Sequence, residues 1–135
     1  MSGEYVRHGI GSVRPYLYGP PLLVDWLKQV FGAQEIERVA GDGGDHVELR
    51  IGDSVVVLET GNPPEFATRA SVYVYVEDVD AVYCLALEAG ATSLAAPEDK
   101  PYDERAAGVK DSFGNTWWIA AYTGSRTSVN RLVGE

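Results

Sequence analysis

The spacing of apolar positions changes along this chain in a fixed order, and the order occurs twice. Over residues 12–18, Val13 and Leu17 alternate with Arg14, Tyr16 and Tyr18. That is the period of a strand, although Pro15 argues for an edge position or a bulge. Leu23, Trp26, Leu27, Val30 and Phe31 then recur at i, i+3, i+4, i+7 and i+8, one stripe of a helix. Gly19-Pro20-Pro21 opens this helix, where a missing amide donor costs nothing, and Gly32 closes it. Strands are predicted at 34–40, 45–51 and 54–59, separated by turns at Gly41–Gly44 and Gly52-Asp53.

After Gly61-Asn62-Pro63-Pro64 the order restarts. A strand over 70–76 precedes a helix with Asp78 as N-cap, the stripe Val79, Val82, Tyr83 and Ala86, and Gly90 as its stop. Strands follow at about 92–96, 106–110 and 116–122, the last two joined at Gly114-Asn115. Residues 97–105 read as a long polar loop. Residues 1–11 read as a loose lead-in or an edge strand. Residues 123–135 read as a polar tail, either mobile or packed on a partner subunit. Such a repeat decides the fold class. We expect an α+β domain of tandem βαβββ modules, 12–59 and 70–122, whose cupped mixed sheet carries both helices on its outer face. A length of 135 residues fits one domain over the whole chain.

Period two sorts each strand onto two faces. Val47, Leu49 and Ile51 oppose His46, Glu48 and Arg50; Val72, Val74 and Val76 oppose Ser71, Tyr73 and Tyr75. Trp117, Ile119 and Ala121 oppose Thr116, Trp118, Ala120 and Tyr122. Each helix has one apolar stripe, so the helices should cover the aliphatic face. The remaining face gathers Tyr, Trp, Arg, Glu, His and Ser, the mixed lining of a small-molecule site. The alternative is that the tyrosines cover a dimer interface or half-bury against the linker.

Composition narrows the function further. A net charge of −9 with 11 scattered basic residues excludes a nucleic-acid binder, which needs clustered Lys and Arg. An acidic chain favours encounter with cationic small molecules, although net charge also serves solubility alone. Cys84, the single cysteine, falls in the second helix and is expected as a buried structural thiol. No signal-like stretch opens the chain and no run of eighteen apolar residues occurs, so we expect no membrane span and a cytoplasmic location. Ser-His-Asp and Cys-His nucleophile patterns are absent from the sequence, as is a phosphate-binding glycine loop.

Four segments carry a family resemblance. They are Asp25-Trp26-Leu27-Lys28-Gln29-Val30-Phe31-Gly32-Ala33, His46-Val47-Glu48-Leu49-Arg50-Ile51-Gly52-Asp53, Tyr75-Val76-Glu77-Asp78-Val79-Asp80-Ala81 and Val109-Lys110-Asp111-Ser112-Phe113-Gly114-Asn115-Thr116-Trp117-Trp118. In this order the chain resembles the vicinal oxygen chelate superfamily, which includes glyoxalase I, bleomycin-resistance proteins and extradiol dioxygenases. The resemblance implies a homodimer with its ligand inside the cup. It also implies that metal-dependent members set one ligand on each of four strands, here mapped to Arg14, Glu48, Ser71 and Trp118. Only Glu48 of these suits a divalent metal, which needs about three protein ligands. We therefore expect no metal and no cofactor, and place the chain in a metal-depleted branch.

The expected ligand-binding residues are Arg14, Tyr16, Tyr18, His46, Glu48, Arg50, Ser71, Tyr73, Tyr75 and Trp118, with Tyr102 and Arg105 as a rim or as ordinary surface. The aromatic lining suits a planar or partly cationic ligand, while Arg14 and Arg50 equally admit a zwitterion, an aromatic acid or a quinone-like antibiotic. The leading expectation is a binding protein for a small aromatic molecule, of the antibiotic-sequestering kind. The second is a metal-dependent or metal-independent lyase, isomerase or dioxygenase of the same superfamily, with Glu48 as general base and His46 or Tyr73 as proton partner. The third is a structural dimer with a vestigial site. Metal analysis, quenching of Trp117 and Trp118, and a Trp118→Ala variant separate them.

Overall fold

In the computed structural model, which describes residues 5–124, the strand–helix–strand–strand–strand order is present twice. The first unit contains β1 (Tyr16–Tyr18), α1 (Pro21–Phe31), β2 (Gln34–Gly41), β3 (Gly44–Ile51) and β4 (Ser54–Glu59). The second contains β5 (Ser71–Tyr75), α2 (Val79–Glu88), β6 (Thr92–Lys100), β7 (Glu104–Lys110) and β8 (Thr116–Tyr122). The division between the units falls between Ala70 and Ser71, at the end of the Pro-containing linker. The fold is α+β, and each unit has its own four-stranded mixed sheet, ordered β1-β4-β3-β2 and β5-β8-β7-β6. The first strand of each unit runs parallel to the last and the other pairs are antiparallel.

Local chemistry explains the boundaries. Pro21 occupies the first turn of α1, and Gly32 ends it at φ 66°, a left-handed conformation that a Cβ disfavours. The Asp78 carboxylate accepts the Ala81 amide at 3.1 Å and so starts α2. The helices lie on the aliphatic faces. In α1, Leu23, Val24, Trp26, Leu27 and Val30 are buried, as are Leu17, Val47, Leu49, Val56 and Leu58 of the first sheet. In the second unit Trp117, Ile119, Ala107 and Val109 form the covered row. At the β7–β8 turn, the buried Asp111 carboxylate accepts from the Phe113 and Asn115 amides, the Asn115 side chain and the Trp117 indole at 2.8–3.0 Å. It thereby ties the turn to the core.

Several expectations are corrected. Only 16–18 of the strand expected at 12–18 pair, because Pro15 lacks an amide and Arg14 turns back toward the lead-in. The long polar loop at 97–105 is instead the tip of a hairpin, with β6 continuing to Lys100 and β7 starting at Glu104. Pro97 is tolerated there because β6 is an edge strand with register shifts on either side of Ala95. Cys84 is an exposed free thiol, since the buried face of α2 runs through Val79 and Ala86 and leaves position 84 outside it. Residues 5–11 are no loose lead-in: they form a 3-10 turn at Arg7–Gly9 and cross the sheet, where a Cβ on Gly11 would meet the Val55 side chain at 3.0 Å. Residues 1–4 and the tail beyond Gly124 lie outside the described residues. No described helix is long and apolar enough to cross a membrane.

Candidate functional site

The ladder registers define equivalent rows on the helix-free faces of the two units. One row reads Tyr16-Val57-Glu48-Glu37 in the first unit and Tyr73-Trp118-Gly108-Ala95 in the second. The next reads Tyr18-Glu59-His46-Val39 and Tyr75-Ala120-Ala106-Glu98. One register slip coincides, between Glu35 and Glu37 and between Ser93 and Ala95, and the second unit adds another between Ala95 and Glu98. This register corrects the four-strand mapping. The first-unit position matching Trp118 is Val57, not Glu48, and Arg14 matches Ser71. An arginine, a valine, a serine and a tryptophan do not make a divalent-metal shell.

In the first unit the carboxylates form one linked network. Tyr16 donates to Glu59 at 2.8 Å, and the edge of its ring meets Tyr18 at a centroid distance of 5.4 Å. His46 bonds Glu59 through Nδ1 and Glu48 through Nε2, the latter at 3.0 Å. With a carboxylate at each ring nitrogen, the Glu48 bond followed by the Glu59 bond favours the protonated ring and raises the His46 pKa above its ordinary value. The Tyr16 phenol is pushed up to about 12 by its hydrogen bond to the Glu59 carboxylate. Glu48, only 4% exposed, also meets Arg14 Nη1 at 3.3 Å and His8 Nε2 at 3.3 Å. Arg14 further donates to the carbonyls of Gly11 and Ile10 at 2.7 and 3.0 Å, which holds the lead-in across the sheet. Arg7 and His8 bond Glu37 on β2, and the Arg7 bond holds the Glu37 pKa at about 2.

His8, Glu37 and Glu48 bring ligand-type atoms within 4.8 Å of one another. Their carboxylates are already neutralised by Arg7 and Arg14, so a dication would have to displace both guanidiniums. These residues fit a strap of ion pairs better than a metal.

Beside this network lies a cavity of about 460 Å³, lined by Tyr16, Tyr18, His46 and Glu59, by the turn Gly41–Gly44 and by the linker through Pro64. The linker approaches the turn so closely that a Cβ on Gly44 would clash with the Gly61 backbone. Of the expected ligand residues, Tyr16, Tyr18 and His46 line this cavity. Arg14 and Glu48 instead lie under the lead-in, and Arg50 donates to the Gly52 carbonyl at the strand end. Glu59, His8 and Glu37 were missed. Counting back across the two-residue Gly52-Asp53 turn places Glu59 opposite His46, so that signal was present in the sequence.

In the second unit, Tyr73 and Tyr75 sit edge to face at 5.6 Å and both donate to Glu104, a carboxylate that parity alone did not single out. The Tyr73 proton is thus committed to Glu104. Trp118 lies against Gly108, where a Cβ would approach its ring at 2.5 Å. Ser71 stands exposed at the start of β5, and Tyr102 is exposed in the β6–β7 turn. Arg105 leaves the expected rim, because alternation turns it to the helix side, where it grips Asp80 of α2 at 2.8–2.9 Å.

Two βαβββ units, each with one helix on one sheet face and tyrosines and carboxylates on the other, define the class of this chain. It belongs to the Glyoxalase/Bleomycin resistance protein/Dioxygenase superfamily, whose family model matches residues 20–119. It is 34% identical over 107 residues to the uncharacterized protein Mb0911c of Mycobacterium bovis, spanning 70% of each chain. Among solved structures it is similar to TioX from Micromonospora sp. ML1, with 31% identity, a TM-score of 0.67, and 82% of this chain and 95% of that one covered. The fosfomycin resistance protein FosX of Listeria monocytogenes shares the fold, with a TM-score of 0.65 at 14% identity over 87% of this chain and 96% of that one.

Proposed function

We propose that this chain binds a small aromatic molecule in the first-unit cavity and holds it unchanged and without a metal, as in antibiotic sequestration. The observation that carries this reading is the lining itself. A cavity of about 460 Å³ is large enough for a drug-sized ring system, and it places an edge-to-face tyrosine pair beside the His46–Glu59 pair. The tyrosines stack on a planar ligand, while Glu59 accepts from a donor on its rim. The family description, which includes bleomycin-resistance proteins, supports the sequestering role. Equilibrium dialysis against planar aromatic antibiotics and metabolites tests it. Glu59→Gln should weaken any ligand found by about tenfold, the worth of a charge-assisted hydrogen bond. Recovery of every compound chemically intact is also expected. Turnover of a bound compound would move the assignment to the lyase or isomerase reading, where the His46 imidazolium between two carboxylates is the group suited to proton transfer. The same reading includes a homodimer, supported by the family resemblance and checked by sedimentation equilibrium.

A further inference from the structure

We propose that the second unit carries a site for an organic ammonium ion, built from Glu104 and the tyrosines around it. The starting point is a carboxylate without a counter-ion among the described residues. Glu104 is only 9% exposed, yet its hydrogen-bond partners among the described residues are the neutral phenols of Tyr73 and Tyr75. Buried carboxylates are ordinarily paired with a cation, because desolvation without compensation is costly. The two nearest candidates in the sheet are both engaged elsewhere. Lys100, opposite Glu104 in the β6–β7 ladder, bonds Glu98. Arg105, the next residue, bonds Asp80 and Asp99 on the other face.

The surroundings of Glu104 are those a cation selects. Tyr73, Tyr75, Tyr102 and Tyr122 are 45–62% exposed, and Tyr122 is the direct ladder partner of Glu104. Electron-rich phenol faces attract an alkylammonium ion, and the carboxylate supplies its charge. The phenol protons point at Glu104, which fixes the carboxylate, while the half-exposed rings, packed edge to face on each other, keep their outer surface open to a ligand. A cavity of about 530 Å³ lined by Tyr75, Val76, Glu77, Ala121 and Tyr122 opens on two of these rings; Glu104 lies behind them and is not itself in the lining. Hydrogen-bonding cations such as primary amines compete for water; a quaternary ammonium group is held mainly by charge and ring faces, and this site offers both. The first-unit cavity differs, because its carboxylate, Glu59, is already paired with His46.

Titration by NMR with choline, and in parallel with its uncharged isostere 3,3-dimethyl-1-butanol, tests the proposal without reference to the first-unit ligand. Choline should shift amides of β5, β7 and β8 saturably, and the alcohol should bind at least about tenfold more weakly. Glu104→Gln should lower choline affinity about tenfold and remove the preference for charge. Tyr75→Leu, which keeps the carboxylate, should weaken choline as well and guards against a misfolded Glu104 variant. Equal affinity for both probes, shifts confined to the first unit, or undiminished choline binding by Glu104→Gln would overturn the assignment.

Discussion

Glu48 and Glu104 are both buried carboxylates on the helix-free face of their unit, and they are held in opposite ways. Glu48 is surrounded by Arg14, His46 and His8. Glu104 is held by two phenols. The contrast extends along the sheet. Where the first unit sets Glu37, Glu48, His46 and Glu59, the second sets Ala95, Gly108, Ala106 and Ala120. One backbone plan has therefore been filled at these positions with charge in the first copy and with small residues in the second, beside tyrosines that both copies share. The repeated fold preserves strand order and the pairing of these rows, while turns and side-chain chemistry at matching positions diverge.

The hairpin turns offer the hardest test of this contrast. Gly52-Asp53 closes β3–β4 with two exposed residues, whereas the β7–β8 turn hangs on buried Asp111. Asp111→Ala should cost about 3 kcal/mol, since it orphans several buried donors, and Asp53→Ala should stay within about 0.5 kcal/mol by urea denaturation. Equal losses would show that the turns are not differently built. Next in size, Glu48→Gln should destabilise by about 2 kcal/mol by leaving Arg14 and His46 without their shared carboxylate. Glu104→Gln should fall within about 1 kcal/mol, because it relieves a carboxylate whose partners among the described residues are two phenols. A larger loss at Glu104 than at Glu48 would reverse the contrast.

Gly108→Ala should cost about 1.5 kcal/mol, because the new methyl would press on the Trp118 ring. A wild-type melting temperature in that variant would show that the indole swings aside freely. The smallest effect is electrostatic. The folded pKa of His46 should exceed the ordinary histidine value, and Glu48→Gln should bring it down, both read from ring-proton NMR shifts. Because the folded value is the higher one, the associated stability is fully present below about pH 6.5 and is lost as pH rises through the folded pKa. Stability that increased through that window would contradict the paired imidazolium.

Much of the fold was legible because it depends on local spacing. The helix stripes, the Gly32 and Asp78 ends and the tandem order could be read directly, as could the division of Trp117 from Trp118 by face. The site was legible only in part. Parity placed Tyr16, Tyr18 and His46 on the cavity side, but it could not show that the lead-in covers Glu48 and Arg14. Glu104 was hidden inside a segment read as loop, because Pro97 and its polar neighbours outweighed a bulged edge strand.

By itself the sequence determined the repeated strand and helix periods and which residues share a face, since both follow from backbone geometry between near neighbours. Only the tertiary structure decided which carboxylates acquired counter-ions, because Arg14 and Glu48 lie 34 residues apart and Tyr73 and Glu104 lie 31 apart. Coulombic and hydrogen-bond partners are set by distance in space, and no periodicity along the chain encodes that distance.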